Sequence, residues 1–238
     1  MEKRPKTTLF YHPDLSERYF QLDPDEAKHI KTLRIRTGDT IWLVDGKGTR
    51  AIGQVNSPAV KDCQIEVVEV LPPDPKPNYS IHIAVAPTKN NDRIEWFFEK
   101  AIEIGIDRLT LIETQNSVRV RLNGERLWRK GLAAMKQSLR AQMPRVESLI
   151  PFEEFIQSSE EEERFIAYTP QQESQMLQKV ARAQKSYCVL VGPEGGFTEE
   201  EVALAEQKGF QRVGLGKTRL RTETAALTSC MYLNFLNS

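Results

Sequence analysis

The residues with the clearest chemical potential form a glycine-rich turn, VGPEGGFTEEE, that runs from Val191 to Glu201. An apolar run typical of a strand precedes the turn and a predicted helix follows it, which is a setting in which many proteins hold a phosphate. The turn has neither the Lys-Ser/Thr of a P-loop nor the G-x-G-x-x-G of a dinucleotide site. A phosphate at ~4 Å from one of its carboxylates would be repelled by about 4 kcal/mol at an effective dielectric near 20. These residues therefore favour a neutral or cationic ligand, unless the turn only connects a strand to a well-capped helix.

A second candidate segment, LGKTRLRTETAAL, follows the next predicted strand. Three basic residues, Lys217, Arg219 and Arg221, precede the final predicted helix, which begins near Thr222. Open α/β sheets bind ligands at the carboxyl ends of their strands, where this segment is expected to lie. We therefore interpret the segment as part of a binding site rather than a plain connection.

A basic stretch lies between residues 116 and 145, where eight basic residues stand against one acid, Glu125. The whole chain is balanced, with 33 basic and 33 acidic residues. A predicted helix over 125–142 places five bases in one arc of about 120°: Arg126, Arg129, Lys130, Lys136 and Arg140. Its core side is predicted to hold Trp128, Leu132, Met135 and Leu139. A solvated helix face is the ordinary interpretation, but the near-absence of acids favours a footprint for nucleic-acid phosphates.

The elements that must position these segments fall into two predicted domains. Residues 1–71 are β-rich and include a hairpin in TIWLVDGKGTRAIGQV, and a proline-rich linker over 72–78 ends them. Over 79–238 strands alternate with helices, which predicts a parallel sheet covered on both faces. Two helix starts carry predicted capping boxes: Asp92 with Glu95, and Thr198 with Glu201.

Composition excludes several classes of protein. No apolar run approaches the eighteen residues of a membrane span, and the first residues lack the apolar region of a secretory signal. The three cysteines are odd in number and far apart, which argues against a disulfide framework. The three histidines lack metal-ligand spacing, so no metal is expected. We expect a cytoplasmic protein.

The two candidate segments together resemble a known family. LVGPEGGFTEEEV followed by LG(x3)LRTETA is similar to the SPOUT superfamily of S-adenosylmethionine-dependent RNA methyltransferases, and in particular to its 16S ribosomal RNA uridine-N3 methyltransferase family. The amino-terminal FYHP, HIKTLRIRTGD and VDGKG resemble that family's PUA-like RNA-binding β-barrel. KNNDRIEWFFEKAIEIG, SVRV and KQSLRAQMP resemble its middle motifs. The likeness covers nearly the whole chain.

The resemblance implies an α/β fold with a trefoil-knotted, parallel-sheet methyltransferase domain behind a small PUA-like β-barrel domain. It implies a homodimer that binds S-adenosylmethionine and 16S ribosomal RNA or the small ribosomal subunit. The cofactor would contact three loops, whose implied binding residues are Thr169, Pro170, Val191, Gly192, Pro193, Glu194, Gly195, Gly196, Leu215, Gly216, Leu220, Thr222, Thr224 and Ala225.

The remaining implied residues concern the RNA. Arg221 could stabilise the uridine anion that forms when N3 loses its proton, and Glu223 is a conceivable base, although the base stays unassigned. Residues expected to bind RNA are Arg34, Lys89, Arg93, Arg119, Arg121, Arg129, Lys136, Arg140 and Arg219. Arg219 is one position later than the family's arginine, which leaves its role open. The alternatives are a SPOUT methyltransferase for another RNA or for a ribose 2′-hydroxyl, and a non-catalytic RNA-binding assembly factor.

Overall fold

The computed structural model describes residues 8–117, 122–168 and 175–238. The chain divides into two compact units. The first comprises Met1–Lys76 and Leu132–Met143, and the second comprises Pro77–Gly131 and Pro144–Ser238. The predicted linker over 72–78 forms no helix or strand and its residues are exposed. The domain bounds 1–71 and 79–238 stay predictions, and the structure adds that Leu132–Met143 groups with the amino-terminal unit.

The first unit is a five-stranded mixed sheet with one helix. Its elements are β1 (Leu9–Tyr11), β2 (Tyr19–Gln21), α1 (Pro24–Thr32), β3 (Thr40–Val44), β4 (Arg50–Ala59) and β5 (Asp62–Val70). The strand order is β1-β3-β4-β5-β2, in which only the β1–β3 pair is parallel. The predicted hairpin is confirmed as β3 and β4, with Val44 opposite Arg50. Sequence reasoning missed α1, which starts where Asp23 accepts a hydrogen bond from the Asp25 N–H.

The second unit is the predicted α/β domain. Its strands are β6 (Ser80–Val85), β7 (Arg108–Glu113), β8 (Arg145–Pro151), β9 (Glu163–Ala167), β10 (Ser186–Val191) and β11 (Gln211–Val213). Its helices are α2 (Asn91–Ile104), α4 (Phe152–Ser158), α5 (Leu177–Val180), α6 (Glu199–Gln207) and α7 (Thr222–Leu236). It also contains the first part of α3 (Gly124–Gln137), whose residues from Leu132 onward group with the first unit. The order β11-β9-β10-β6-β7-β8 is parallel throughout, which confirms the predicted parallel sheet. The trefoil knot stays an expectation.

Strand alternation explains how this sheet is covered on both faces. Cys188 and Leu190 of β10 pack into one apolar cluster with residues of α4 and α6, such as Phe155 and Val202. Their neighbours along the strand point to the opposite face, and α7 packs on β10, β6 and α2. The sheet is therefore buried on both sides, as parallel sheets generally are. No helix in the described part of the chain is both long and apolar enough to cross a bilayer.

One predicted helix start is confirmed and the other is wrong. Thr198 and Glu201 form the predicted capping box at α6. At α2 the cap is instead Asn90, whose side chain accepts a hydrogen bond from the Asp92 N–H. The carboxamide of Asn90 begins the helix earlier than predicted, which places Glu95 within the helix, where it is buried.

The basic helix differs from its prediction in length and in orientation. It ends at Gln137, and Leu139 lies beyond it with a φ of 59°. Trp128 and Leu139, both predicted to be core, are 44% and 41% exposed. Met135, also predicted to be core, is buried, together with Leu127 and Ala134. The end of the helix at Gln137 removes Leu139 from the predicted core side, whereas Trp128 lies within the helix on an exposed side.

A buried polar network lies on β6 and its neighbours. Thr110 Oγ1 donates its one hydrogen to Glu147 Oε2 at 2.6 Å, so His82 Nε2, at 2.8 Å from that hydroxyl, must be a donor. His82 Nδ1 lies 2.6 Å from Glu161 Oε1, a carboxylate that can only accept. Both ring nitrogens of His82 are therefore engaged, one with Thr110 and the other with Glu161. Cys188 Sγ lies within 4.8 Å of the ligand atoms of His82 and Glu161.

Acidification is expected to remove the stability that Glu161 contributes. Burial raises the pKa of this carboxyl, but hydrogen bonds from His82 and Ser159 outweigh that effect and lower the pKa from 4.5 to about 2. Because the folded pKa lies below the unfolded pKa, the contribution is fully present above about 4.5 and is lost as the pH falls from there towards about 2. It amounts to roughly 3 kcal/mol. Urea unfolding at decreasing pH should therefore show a weaker pH dependence for Glu161→Gln.

The neighbouring exposed residue supplies the control for this measurement. Glu160→Gln removes a carboxylate of the same kind one position earlier in the chain, where the side chain is exposed. It should keep the wild-type dependence of the free energy of unfolding on pH. Equal pH dependence for the wild type and Glu161→Gln would contradict the assignment.

Candidate functional site

A cavity of about 720 Å³ lies at the carboxyl ends of β9, β10 and β11. Its described lining contains residues from the glycine-rich turn and from the LGKTRLRTETAAL segment, which are far apart in the sequence. The lining residues are Arg93, Ala167, Tyr168, Val191, Gly192, Pro193, Glu194, Gly195, Gly196, Phe197, Leu215, Gly216, Thr218, Arg219, Leu220, Arg221, Thr222 and Ala225. The two segments that the sequence singled out therefore form one site.

Most of the residues expected to bind a cofactor line this cavity. Among the described ones, Thr224 is the exception, and it is exposed on α7. Thr169 and Pro170 lie outside the described residues. The volume is in the ordinary range for a small-molecule site, and the lining combines apolar side chains with backbone polar groups.

The glycine-rich turn adopts a shape that larger residues would disturb. A Cβ added at Gly195 would lie 3.0 Å from Asn116 Cβ, closer than packed carbons normally approach. Gly196 has a φ of 74°, a conformation that residues with a Cβ rarely adopt. Asn116 Nδ2 also donates to the Gly196 carbonyl at 3.1 Å. The turn is thus held from the loop after β7.

The acids of the turn serve different purposes. Glu201 Oε2 accepts the Thr198 N–H and its Oε1 accepts the Gln115 N–H, each at 2.8 Å, so this carboxylate joins the cap of α6 to the loop after β7. Glu199 accepts a hydrogen bond from the Tyr168 hydroxyl at 2.5 Å, which raises the pKa of that phenol. Of the four carboxylates, Glu194 lines the cavity. The acidity of the turn is therefore used largely to fasten neighbouring loops.

Glu194 is itself held by groups from α2 and the loop before it. Its Oε1 accepts the Lys89 N–H at 3.3 Å and lies 3.7 Å from Arg93 Nη1. Its backbone carbonyl accepts a hydrogen bond from Arg219 Nη2 at 3.0 Å. Arg219, expected to bind RNA, thus contacts the glycine-rich turn. The displaced arginine connects the two segments of the site.

The start of α7 completes the cavity wall. Thr222 Oγ1 donates to the Gly192 carbonyl at 3.0 Å, a second link between the two segments. Arg221 precedes the helix and lines the cavity with an exposed side chain. Glu223 is 9% exposed, and its Oε1 lies 3.8 Å from Arg93 Nε. The two residues expected to act in catalysis therefore lie on either side of Thr222, one exposed and one buried.

The other described residues expected to bind RNA belong to both units. Arg129 is exposed and pairs with Glu125 four residues earlier, whereas Lys136 is paired with Glu26 and is largely buried. Arg34 is exposed, and Arg140 is partly exposed. Arg119 and Arg121 lie outside the described residues. Because Lys136 is engaged inside the first unit, the basic helix presents fewer free charges than its sequence suggests.

Sequence reasoning missed two groups that shape the site. Tyr168 lines the cavity, and the Arg212 guanidinium lies 5.7 Å from the centre of its ring. Asn116 fastens the glycine-rich turn. Tyr168 lies within the predicted strand but directly follows β9 as observed, so a correct strand end and the rule that ligands bind beyond strand ends could have found it. Asn116 carries no such local signal.

Two family models match the chain. One, described as an RNA methyltransferase domain, matches residues 74–234, and the other, described as an RNA methyltransferase PUA domain, matches residues 22–68. The first match contains every described residue of the cavity.

Individual proteins are similar over almost their full length. Ribosomal RNA small subunit methyltransferase E of Mycobacterium bovis is 30% identical over 230 residues, which cover 91% of this chain and 86% of that protein. The crystal structure of a probable rRNA-methyltransferase from Porphyromonas gingivalis has 36% identity and a TM-score of 0.91, covering 97% of this chain and 98% of that one. Ribosomal RNA small subunit methyltransferase E of Neisseria gonorrhoeae, bound to S-adenosyl methionine, has 26% identity and a TM-score of 0.85, with 97% and 98% covered.

Proposed function

The chain belongs to the RNA methyltransferase family, and we propose that it methylates N3 of a uridine in small-subunit ribosomal RNA with S-adenosylmethionine as the methyl donor. The observation that supports this most directly is the joining of the glycine-rich turn and the LRTETA segment around one cavity. The similarity to small-subunit ribosomal RNA methyltransferases, one of which has S-adenosyl methionine bound, supports the same substrate and cofactor. We place this activity in the cytoplasm.

The residues around the cavity fit such a cofactor. Its sulfonium is a cation, to which Glu194 would offer a carboxylate from a wall that also holds Arg93, Arg219 and Arg221. Val191, Leu215 and Leu220 would offer apolar side chains to the uncharged adenine. Backbone groups at Gly195 and Gly196 can approach a ligand closely because no Cβ intervenes. The bound cofactor would supply an electrophilic methyl group, and the chain would supply position and electrostatics.

The exposed cation at the start of α7 suits a developing anion. When uracil N3 loses its proton, negative charge spreads to the flanking carbonyl oxygens. Arg221 is always protonated and offers a planar set of donors to such oxygens. Arg221 and Glu223 are therefore the residues that we expect to act on the uracil ring. A target uridine in paired RNA would first have to leave its stack to reach them.

The modified nucleoside in ribosomal RNA tests the function directly. A strain that lacks this protein should lose one N3-methyluridine from its small-subunit RNA, and the wild-type gene should restore it. Nucleoside mass spectrometry measures both results. Loss of a ribose-methylated nucleoside or of a modification in another RNA would favour a different methyltransferase. Unchanged nucleosides together with unimpaired RNA binding would favour an assembly factor.

We also propose a homodimer in which α7 contributes to the interface. Phe235 is 69% exposed, whereas Leu233 on the same helix is fully buried in the core of its own unit. Trp96 on α2, which packs against α7, is 42% exposed. Large apolar side chains exposed on neighbouring helices are typical of protein interfaces.

Phe235→Glu is expected to convert the dimer to a monomer, because a carboxylate buried in an apolar interface would have no partner. Sedimentation velocity measures the change in mass, and methyl transfer should fall with it if each site needs both subunits. Val68→Glu makes the same substitution at a residue that is 59% exposed in the first unit and should stay dimeric. A dimeric Phe235→Glu protein would exclude this face.

A further inference from the structure

Glu223 holds a buried carboxylate oxygen that is not used within the protein. The residue is 9% exposed, and its Oε2 has no hydrogen-bond partner among the residues that the structure describes. Its Oε1 is paired with Arg93 Nε at 3.8 Å, too long for a hydrogen bond. A buried acceptor without a donor costs free energy. The site therefore maintains an acceptor that a bound molecule could satisfy.

This carboxylate lies directly behind the cavity wall. Arg221, Thr222 and Ala225, on either side of Glu223 in the chain, all line the cavity, and so does Arg93. The Arg93 guanidinium stands between two carboxylates, with Nη1 at 3.7 Å from Glu194 and Nε at 3.8 Å from Glu223. Both distances are longer than a hydrogen bond, so neither contact fixes the position of the Arg93 guanidinium. Because Arg93 both lines the cavity and contacts Glu223, we infer that Glu223 reaches the cavity when Arg93 moves aside.

Other acids near the cavity are already engaged. Glu199 accepts from Tyr168, and both oxygens of Glu201 accept backbone N–H groups. Glu194 Oε1 accepts the Lys89 N–H. Among these acids, Glu223 is thus the one with an unused acceptor oxygen. Its position beside the cavity lining suits it to accept a proton from a substrate bound there.

Resting on the proposed uridine methylation, we propose that Glu223 accepts the N3 proton of the target uracil and that Arg93 is the positioning residue that orients this carboxylate. The N3–H bond breaks and an O–H bond forms on Glu223. The electron pair left on N3 forms the new bond to the methyl group, and the pair of the broken carbon–sulfur bond stays on sulfur. Glu223 then releases the proton to solvent.

Glu223→Gln in the full-length protein tests the proton acceptor. Single-turnover methylation of isolated small subunits should be slower by roughly 10²- to 10⁴-fold, the range for removal of a general base. The wild-type rate should fall at low pH as Glu223 becomes protonated, and this fall should be absent from the variant. Calorimetric affinity for S-adenosylmethionine should change by less than about threefold. Glu200→Gln, which removes an exposed carboxylate outside this cavity, should behave as the wild type.

Variants of Arg93 test the positioning role. Arg93→Ala removes a positive charge beside the carboxylate, so the fall in rate should move to higher pH, and Arg93→Lys should move it back. A purely structural role would lower the rate equally at every pH. Infrared titration without RNA gives an independent measurement, because the band of the protonated Glu223 carboxyl should disappear in Glu223→Gln and shift its midpoint in Arg93→Ala.

The outcomes separate this assignment from the function on which it rests. An active wild type with an equally active Glu223→Gln would overturn the proton acceptor alone. A Glu223→Gln protein whose affinity for S-adenosylmethionine falls by more than about tenfold would assign the carboxylate to the cofactor instead and also overturn it. A wild type that methylates no ribosomal RNA would overturn both proposals.

Discussion

Arg221→Ala is expected to slow methyl transfer by about 10²- to 10³-fold, the loss that follows removal of one donor to a transition-state anion. The reason is that Arg221 lines the cavity with an exposed guanidinium, where charge would develop on the uracil carbonyl oxygens. Single-turnover transfer to isolated small subunits measures the rate. Affinity for S-adenosylmethionine, measured by calorimetry, should change far less, because the interaction forms with the RNA base.

Arg221→Lys provides the matched control for charge. It keeps one positive charge but loses the planar set of donors, so its rate should lie between those of the wild type and Arg221→Ala. Arg182→Ala removes an exposed arginine that pairs with Glu163 and does not line the cavity, and it should retain most of the activity. An Arg221→Ala enzyme with wild-type rates would show that this residue does not contact the reacting ring.

Gly196→Val is expected to weaken S-adenosylmethionine binding by about 100-fold, which corresponds to ~2.7 kcal/mol. Gly196 has a φ of 74° and lines the cavity, so a β-branched residue there would both strain the turn and project atoms beside the ligand. Calorimetry measures the affinity. Thermal unfolding measures the accompanying loss of stability, expected to be about 1–2 kcal/mol.

Gly38 offers a control for the backbone strain. It has a φ of 86° with nothing within 4 Å of an added Cβ, as at Gly196, but it belongs to the first unit and does not line the cavity. Gly38→Val should lose comparable stability and keep its affinity for S-adenosylmethionine. If both variants lost affinity equally, the effect of Gly196→Val would have to be ascribed to general destabilisation.

Elements whose signals are local could be predicted from the sequence. The parallel sheet, the β3–β4 hairpin, the capping box at α6 and the bounds of α7 follow from periodicity, turn residues and caps. α1 is as long as α6 and was missed although Asp23 and Pro24 mark its start. The predicted core side of α3 was right for Met135 and wrong for Trp128 and Leu139. Leu139 lies beyond the end of the helix at Gln137, a boundary that no proline or glycine marks.

The sequence by itself determined the two segments of the site, because each is a continuous motif of glycines, hydroxyls and charges at a strand's end. It could not determine how each charge is used. The Arg93 guanidinium meets carboxylates 101 and 130 positions away, and Lys136 meets Glu26 from 110 positions away. Such pairings depend on where distant elements pack, and a side chain's neighbours at that range are not encoded in its own local pattern. Only the tertiary structure therefore decided that Glu194 alone of the turn's four acids lines the cavity, while the other three fasten or flank loops. It also decided that Glu223 retains an unused oxygen behind the cavity wall.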